Sequence, residues 1–147
     1  QLIHKAFEET TPEEVQHIFN VNFFAPYELT RRLLNNNMLS KNAHVVFISS
    51  MGGYQGSIKF PGLSAYSASK GALSILTECL AEEFKERTIS FNAICPGAVQ
   101  TQMLEKAFPG FKAPLTAKEM GEFIAEFALT GSKYYNGKVL PVSSSTP

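Results

Sequence analysis

Apolar residues between positions 12 and 34 recur at Val15, Ile18, Phe19, Pro26, Leu29 and Leu33, the spacing of one helical stripe. Thr11-Pro12-Glu13-Glu14 places a capping hydroxyl, a proline at the first helical position and two acids in the first turn. A helix is therefore predicted from there to about Leu34, ended by Asn35-Asn36-Asn37. The β-branched and aromatic run HVVFI at 44–48 lies between polar clusters and predicts a strand buried on both faces. Met51 to Gly62 holds four glycines and a proline and reads as an irregular loop. Leu73, Leu76, Leu80 and Phe84 then mark a second long helix over about 63–87, with Ala65, Ala68, Ser69 and Ala72 at its start. A second strand is predicted over 89–95 and stops at Pro96-Gly97. After a short loop or helix and two prolines come a helix over 116–129 and a last strand over 138–142. The Ser-rich tail is assigned no structure.

Helix, strand, helix, strand, helix, strand is the order of right-handed crossovers in a parallel sheet, so the expected class is α/β with helices on both sheet faces. No repeat or linker divides the 147 residues, and 44% apolar content fits one compact unit. Thirteen basic and thirteen acidic residues cancel without forming blocks, which removes the electrostatic footprint of a nucleic-acid or anionic-membrane binder. A small-molecule ligand is the expectation. Cys79 and Cys95 have no CxxC partner and read as two reduced core thiols, consistent with a cytoplasmic location. No apolar run approaches the roughly 20 residues of a membrane span, and the opening QLIHKAFEETTPEE is polar, so the chain is expected to be soluble. It opens on Gln1 with no strand before its first helix, as though in mid-domain.

Ligands of open parallel sheets bind where loops leave the carboxyl ends of strands. Those places carry Ser49 and Ser50 after the first strand, and Pro96, Gly97, Val99 and Thr101 after the second. Tyr66 and Lys70 stand four apart near the start of the second long helix, on one face, with Cβ atoms about 5–6 Å apart. A phenolate useful near pH 7 needs about 4 kcal/mol of differential stabilisation. A neighbouring ammonium supplies part of it by favouring the charged form.

Ser50, Tyr66-Ser67-Ala68-Ser69-Lys70 and Asn92-Ala93-Ile94-Cys95-Pro96-Gly97, with Thr101 following, resemble the short-chain dehydrogenase/reductase pattern in type, order and spacing over most of the chain. YxxxK alone recurs by chance in many helices; the joint pattern is specific. The resemblance implies a Rossmann-like doubly wound parallel sheet and an NAD(P)-dependent oxidoreductase interconverting an alcohol and a carbonyl. By that resemblance Tyr66 is the general acid or base. Lys70 lowers its pKa and holds the ribose hydroxyls of NAD or NADP, and Ser50 binds the reacting oxygen. Pro96, Gly97 and Val99 line the nicotinamide, and Thr101 binds its carboxamide or the phosphates. Ser50 is preferred to Ser49 by the alternation of strand exit and by the family's use of the second serine of such a pair. The sixteen residues from Ser50 to Tyr66 exceed the common family spacing by about three, and the extra length, within 55–60, is expected to shape the substrate pocket.

Asn22 falls within the apolar stripe of the first helix, and a buried polar side chain needs partners. Pro26, four residues on, has no N–H for the Asn22 carbonyl, so a kink and a free carbonyl are expected there. In the family an asparagine in this Val-Asn-aromatic context holds, through its carbonyl, a water linked to the lysine. Asn22 is thus the fourth expected catalytic residue. The competing expectation is an asparagine bonded to a neighbouring loop.

Other motifs weigh little. Ser67 to Lys70 fits SxxK but lacks the SDN and KTG companions of a penicillin-binding serine. Gly131 to Lys138 has the wrong glycine spacing for a P-loop and Val139 where a magnesium-holding hydroxyl belongs. Gly52-Gly53-Tyr54-Gln55-Gly56 reads as a mobile loop on the substrate side. His4, His17 and His44 lack metal-site spacing, and no metal is expected. Glu82 to Arg87 reads as a solvated helix end, and Met103, Phe108 and Phe111 as either substrate lid or ordinary packing. The family's TGxxxGxG turn and NNAG segment are not within the sequence, which suggests a single partial domain over 1–147. The alternative is a truncated, inactive paralogue serving as a binding or oligomerisation module. Relatives often end V-D-G-G, where Ser143-Ser144-Ser145 follows Val142 here. The two long helices resemble those that pair across a two-fold axis in the family, so a homodimer or homotetramer is expected.

Overall fold

A computed structural model describes residues 1–143. Helix α1 (Pro12–Phe19) opens on a capping box: Thr11 Oγ1 accepts the Glu14 N–H at 3.3 Å, and the Glu14 carboxylate accepts the Thr11 N–H at 2.8 Å. The same carboxylate binds Lys5 at 3.1 Å. The helical path widens into a π-turn at Asn20–Phe24, where the Ala25 N–H reaches five residues back to the Asn20 carbonyl, and resumes as α2 (Ala25–Asn35). The kink expected at Pro26 is thus replaced by a change of pitch just before it. Ile18, Asn22, Thr30 and Leu34 are buried and Pro26 half-buried, a ladder of every fourth residue. In an unbroken α-helix such a row drifts by about 40° per step, and the wide turn brings it back toward the core. Leu29, expected on this stripe, is exposed instead.

Strands β1 (His44–Ile48), β2 (Ser90–Pro96) and β5 (Lys138–Val142) form a parallel sheet in the order β1-β2-β5, with His44 opposite Ser90 and Asn92 opposite Lys138. Val45, Phe47, Phe91 and Ala93 share one face and pack with Leu34 of α2 and with Leu73 and Ala81 of α3 (Ser64–Glu83). His44 and Asn92 share the other, where α5 (Ala117–Thr130) crosses behind the Phe127 ring. Helices on both faces confirm the expected α/β class. β1 is not buried on both faces: it lies at the sheet edge, with Ile48 exposed. Pro141, which cannot donate to a ladder, sits in the other edge strand. Between β2 and α5 lie β3 (Val99–Gln100), α4 (Gln102–Ala107) and β4 (Leu115–Thr116), β3 and β4 pairing in parallel.

The expectation of two core thiols is half right. Cys95 is fully buried in β2, whereas Cys79 is exposed, because α3 turns residues 66, 69, 73, 77 and 81 inward and 75, 78 and 79 outward. Among the described residues no helix is long and apolar enough to cross a membrane.

Candidate active site

Ser49 and Ser50 leave the carboxyl end of β1 in opposite roles. Ser49 keeps the facing of Val45 and Phe47 and is buried toward α3, where its hydroxyl donates to the Lys70 carbonyl at 2.8 Å. Ser50 turns outward; its Oγ accepts the Gly52 N–H at 3.0 Å, starting a short 3₁₀ turn over Met51–Gly53. The Ser50 hydroxyl stands beside the phenol of Tyr66, in the first turn of α3, and favours its charged form.

The Met51–Gly53 turn is packed against α3 rather than standing free as the mobile loop expected from its glycines. A Cβ on Gly53 would lie 2.5 Å from the Lys70 carbonyl carbon and 2.6 Å from the Gly71 nitrogen, so only glycine lets the two backbones touch. A Cβ on Gly52 would fall 3.4 Å from the Tyr66 ring and 3.5 Å from Ser50 Oγ. This seating brings Ser50 and Tyr66 together.

Lys70 departs from the expected pairing. Its Nζ donates to the Ile48 carbonyl at 2.7 Å, at the end of β1, and the phenol is not lowered by its charge. Burial pushes the Tyr66 phenol up from its ordinary value, the Ser50 hydroxyl pulls it back, and the nearby Cys95 thiol adds a smaller upward push. Burial likewise lowers the Lys70 ammonium. The i,i+4 spacing put the two residues on one face, but the flexible lysine found a carbonyl acceptor at the strand end.

The Asn22 side chain is fully engaged: Oδ1 accepts from the Gln1 nitrogen at 2.8 Å, and Nδ2 donates to the Gln1 carbonyl at 2.8 Å and to Ser69 Oγ at 3.0 Å. Ser69 in turn donates to the Tyr66 carbonyl at 2.7 Å. The wide turn therefore grips the first turn of α3 beside Lys70, and the contact with Gln1 matches the competing expectation of a loop partner. Pro96 closes β2, and the Gly97 N–H donates to the Val142 carbonyl at 2.9 Å. A Cβ on Gly97 would meet Ser143 Oγ at 2.3 Å. Val99 lies in β3, and Thr101 caps α4, its Oγ1 accepting the Leu104 N–H at 3.2 Å.

Several site residues carried no signal in the sequence. Ser74 and Cys95 lie beneath Ser49, and their role depends on strand and helix meeting in space. His4 spans two segments near the site: one ring nitrogen lies 2.9 Å from the Ala107 carbonyl, the other 3.1 Å from the Pro61 carbonyl, and the ring packs on Phe108. Phe108 meets Phe60 edge-on at 5.6 Å, so the segment after α4 docks on the loop leading to α3. A groove of about 670 Å³ lies elsewhere, at the amino ends of the strands, between Lys85, Ser90 and Lys133; it contains none of the expected site residues.

Comparison with known proteins places these features in a family. The profile described as short chain dehydrogenase matches residues 2–111. Dehydrogenase/reductase SDR family member 7B of Mus musculus is 37% identical over 95 residues, 65% of this chain and 28% of that protein. The chain thus spans under a third of that relative's length. A short chain dehydrogenase of Escherichia coli CFT073 complexed with NADPH superposes with a TM-score of 0.81 at 29% identity, covering 95% of this chain and 57% of that one. The 3-ketoacyl-(acyl-carrier-protein) reductase of Brucella melitensis complexed with NADH gives 0.79 at 25% identity, covering 96% and 62%.

Proposed function

This chain belongs to the short-chain dehydrogenase family, and on that footing we propose that it interconverts an alcohol and a carbonyl by hydride transfer with NAD or NADP. The observation that carries the reading is the seating of Ser50 and Tyr66 side by side against Gly52 at the carboxyl end of β1, where open parallel sheets bind ligands. The donor set fits a nicotinamide nucleotide. Lys70 Nζ uses one of its three hydrogens on the Ile48 carbonyl, which leaves two, one for a ribose hydroxyl and one for a linked water. Thr101 Oγ1 accepts within α4 and keeps its hydrogen for a carboxamide or phosphate. Pro96, Gly97 and Val99 supply the apolar wall.

In reduction the Ser50 hydroxyl donates to the carbonyl oxygen, and Tyr66 passes its phenolic proton to that oxygen as the carbon receives hydride. In oxidation the proton returns to Tyr66. The bound nicotinamide supplies or accepts the hydride. Burial favours the neutral phenol, the form that reduction requires. Lys70 holds the nucleotide against Tyr66, and the Asn22 carbonyl on the wide turn holds a water linked to Lys70.

The protein acts as a homodimer or homotetramer in this reading. Tyr27 and Leu29 of α2 and Ile75 of α3 are exposed, and a groove of about 170 Å³ between the two helices reaches Leu34, Leu76 and Leu80. Pairing of these helices with a second copy would cover that surface, and a monomer in analytical ultracentrifugation would count against it.

The activity is tested by offering ketones, 3-oxoacyl thioesters, sugars and steroid alcohols with each cofactor. Tyr66→Phe should cost on the order of 10²- to 10⁴-fold in kcat. Turnover that survives the substitution would overturn the mechanism.

A further inference from the structure

Beneath the Ser50–Tyr66 pair lies a buried polar cluster that the proposed chemistry does not use. It joins Ser49 at the exit of β1, Ser74 in α3 and Cys95 in β2, with 4%, 6% and 0% of their surfaces exposed. Ser49 Oγ donates to the Lys70 carbonyl at 2.8 Å and lies 3.1 Å from Ser74 Oγ, which is itself 3.2 Å from the same carbonyl. Cys95 follows Ile94 on the same face of β2 as Phe91 and Ala93, beside Ser49, whose N–H donates to the Ile94 carbonyl at 2.8 Å. Burial disfavours the charged form of its thiol, and the two hydroxyls and the Ser50 main chain favour it less strongly.

Each hydroxyl and the thiol has a single hydrogen. The shortest contact assigns the Ser49 hydrogen to the Lys70 carbonyl, which leaves the Ser49 oxygen to accept from Ser74 or Cys95. The helix already satisfies that carbonyl through the N–H of Ser74, so these hydroxyls are not repairing a frayed end. They bind α3 to β1 and β2 at one level. The main chains at their two ends belong to Ser50 and Lys70.

We propose that Ser74 and Cys95 are positioning residues which, with Ser49, fix the main chains of Ser50 and Lys70 and so set the approach of the Ser50 hydroxyl to Tyr66. This rests on the reading of Tyr66 as the proton donor. The two serines at the end of β1 then divide the work: the inner one sets the depth of α3, and the outer one faces the reacting oxygen. The titratable groups near Tyr66 are Cys95, below it, and Lys70, one turn further along α3.

The test reads Tyr66 without requiring turnover, from the onset of its titration by NMR of the protein labelled at tyrosine Cζ, with the signal assigned through Tyr66→Phe. Ser74→Ala and Cys95→Ala should move the onset to higher pH, because the Ser50 hydroxyl that favours the charged phenol is drawn away from it. The expected shift is up to about one pH unit, the size that one hydrogen bond supports. Cys95→Ser, which restores a donor and an acceptor, should return it. An unchanged Tyr66 titration in both alanine variants, whatever their melting temperatures, overturns the proposal. So does a shift in Cys95→Ala that Cys95→Ser fails to reverse. Ser74→Ala carries the test alone should Cys95→Ala not fold, since alanine suits a helix. Should Tyr66→Phe leave turnover intact, the catalytic reading fails while this titration still decides the positioning.

Discussion

Asn92 holds His44 as a neutral imidazole with its hydrogen on Nδ1. Asn92 Oδ1 accepts the Lys138 N–H at 3.0 Å, so its Nδ2 is the end that meets the Tyr135 carbonyl and His44 Nε2, both at 2.9 Å. His44 Nε2 must therefore accept, and Nδ1 donates to the Ala128 carbonyl at 3.1 Å. A second proton on the ring would set an N–H against the Asn92 amide hydrogens. Burial also lowers the His44 pKa from its ordinary 6.5.

Because the folded value is depressed, the folded protein binds this proton less readily than the unfolded chain does. Its contribution to stability is complete above about pH 6.5 and declines as the pH falls below that value. Thermal melts should show Tm falling between pH 7 and pH 5. His44→Gln, whose amide can donate to Ala128 and accept from Asn92, should flatten that slope; an unchanged slope would remove His44 as its source.

Two glycines should respond to alanine with opposite signs. Gly53→Ala forces a Cβ into the α3 backbone and should cost about 1–3 kcal/mol, or more if the turn cannot shift. Gly121, within α5, has open space where a Cβ would stand, and Gly121→Ala should gain up to about 1 kcal/mol. Urea denaturation of both variants checks the pair.

Asn22→Ala removes the side chain but keeps the main-chain carbonyl. Loss of its contacts to Gln1 and Ser69 should lower stability by about 1–3 kcal/mol. If the catalytic part of Asn22 is its carbonyl, kcat measured well below the melting temperature should fall less than in Tyr66→Phe. An equal fall would place the role in the side chain.

Thr11→Ala should cost about 1 kcal/mol, because it removes the hydroxyl that receives the Glu14 N–H at the start of α1. Circular dichroism melts at neutral pH measure the loss.

Features that rest on neighbours in the chain were legible in the sequence. The run HVVFI gave β1 its bounds, the Thr11 cap gave the start of α1, and the strand exit separated Ser50 from Ser49. Features that depend on meeting across the fold were not. Lys70 chose the Ile48 carbonyl over Tyr66 because a long side chain takes the acceptor within reach, which spacing along one helix does not reveal. Cys79 follows an apolar stretch but faces outward, a matter of helix phase. The partners of Asn22, and the union of Ser49, Ser74 and Cys95, join residues up to 47 apart in sequence.

The wide turn at Asn20–Phe24 stores one residue more than an ordinary helical turn would hold. Ile18 and Asn22 are aligned with Thr30 and Leu34 only because one extra residue is absorbed between them. Deleting one residue there would let the turn close to ordinary α-helical pitch with Thr30 and Leu34 still facing the core, whereas a regular helix carrying the full count would turn them away by about 100°. The segment should therefore tolerate the loss of one residue other than Asn22, and its wide turn works as slack between the Asn22 grip on α3 and the packing of α2 on the sheet.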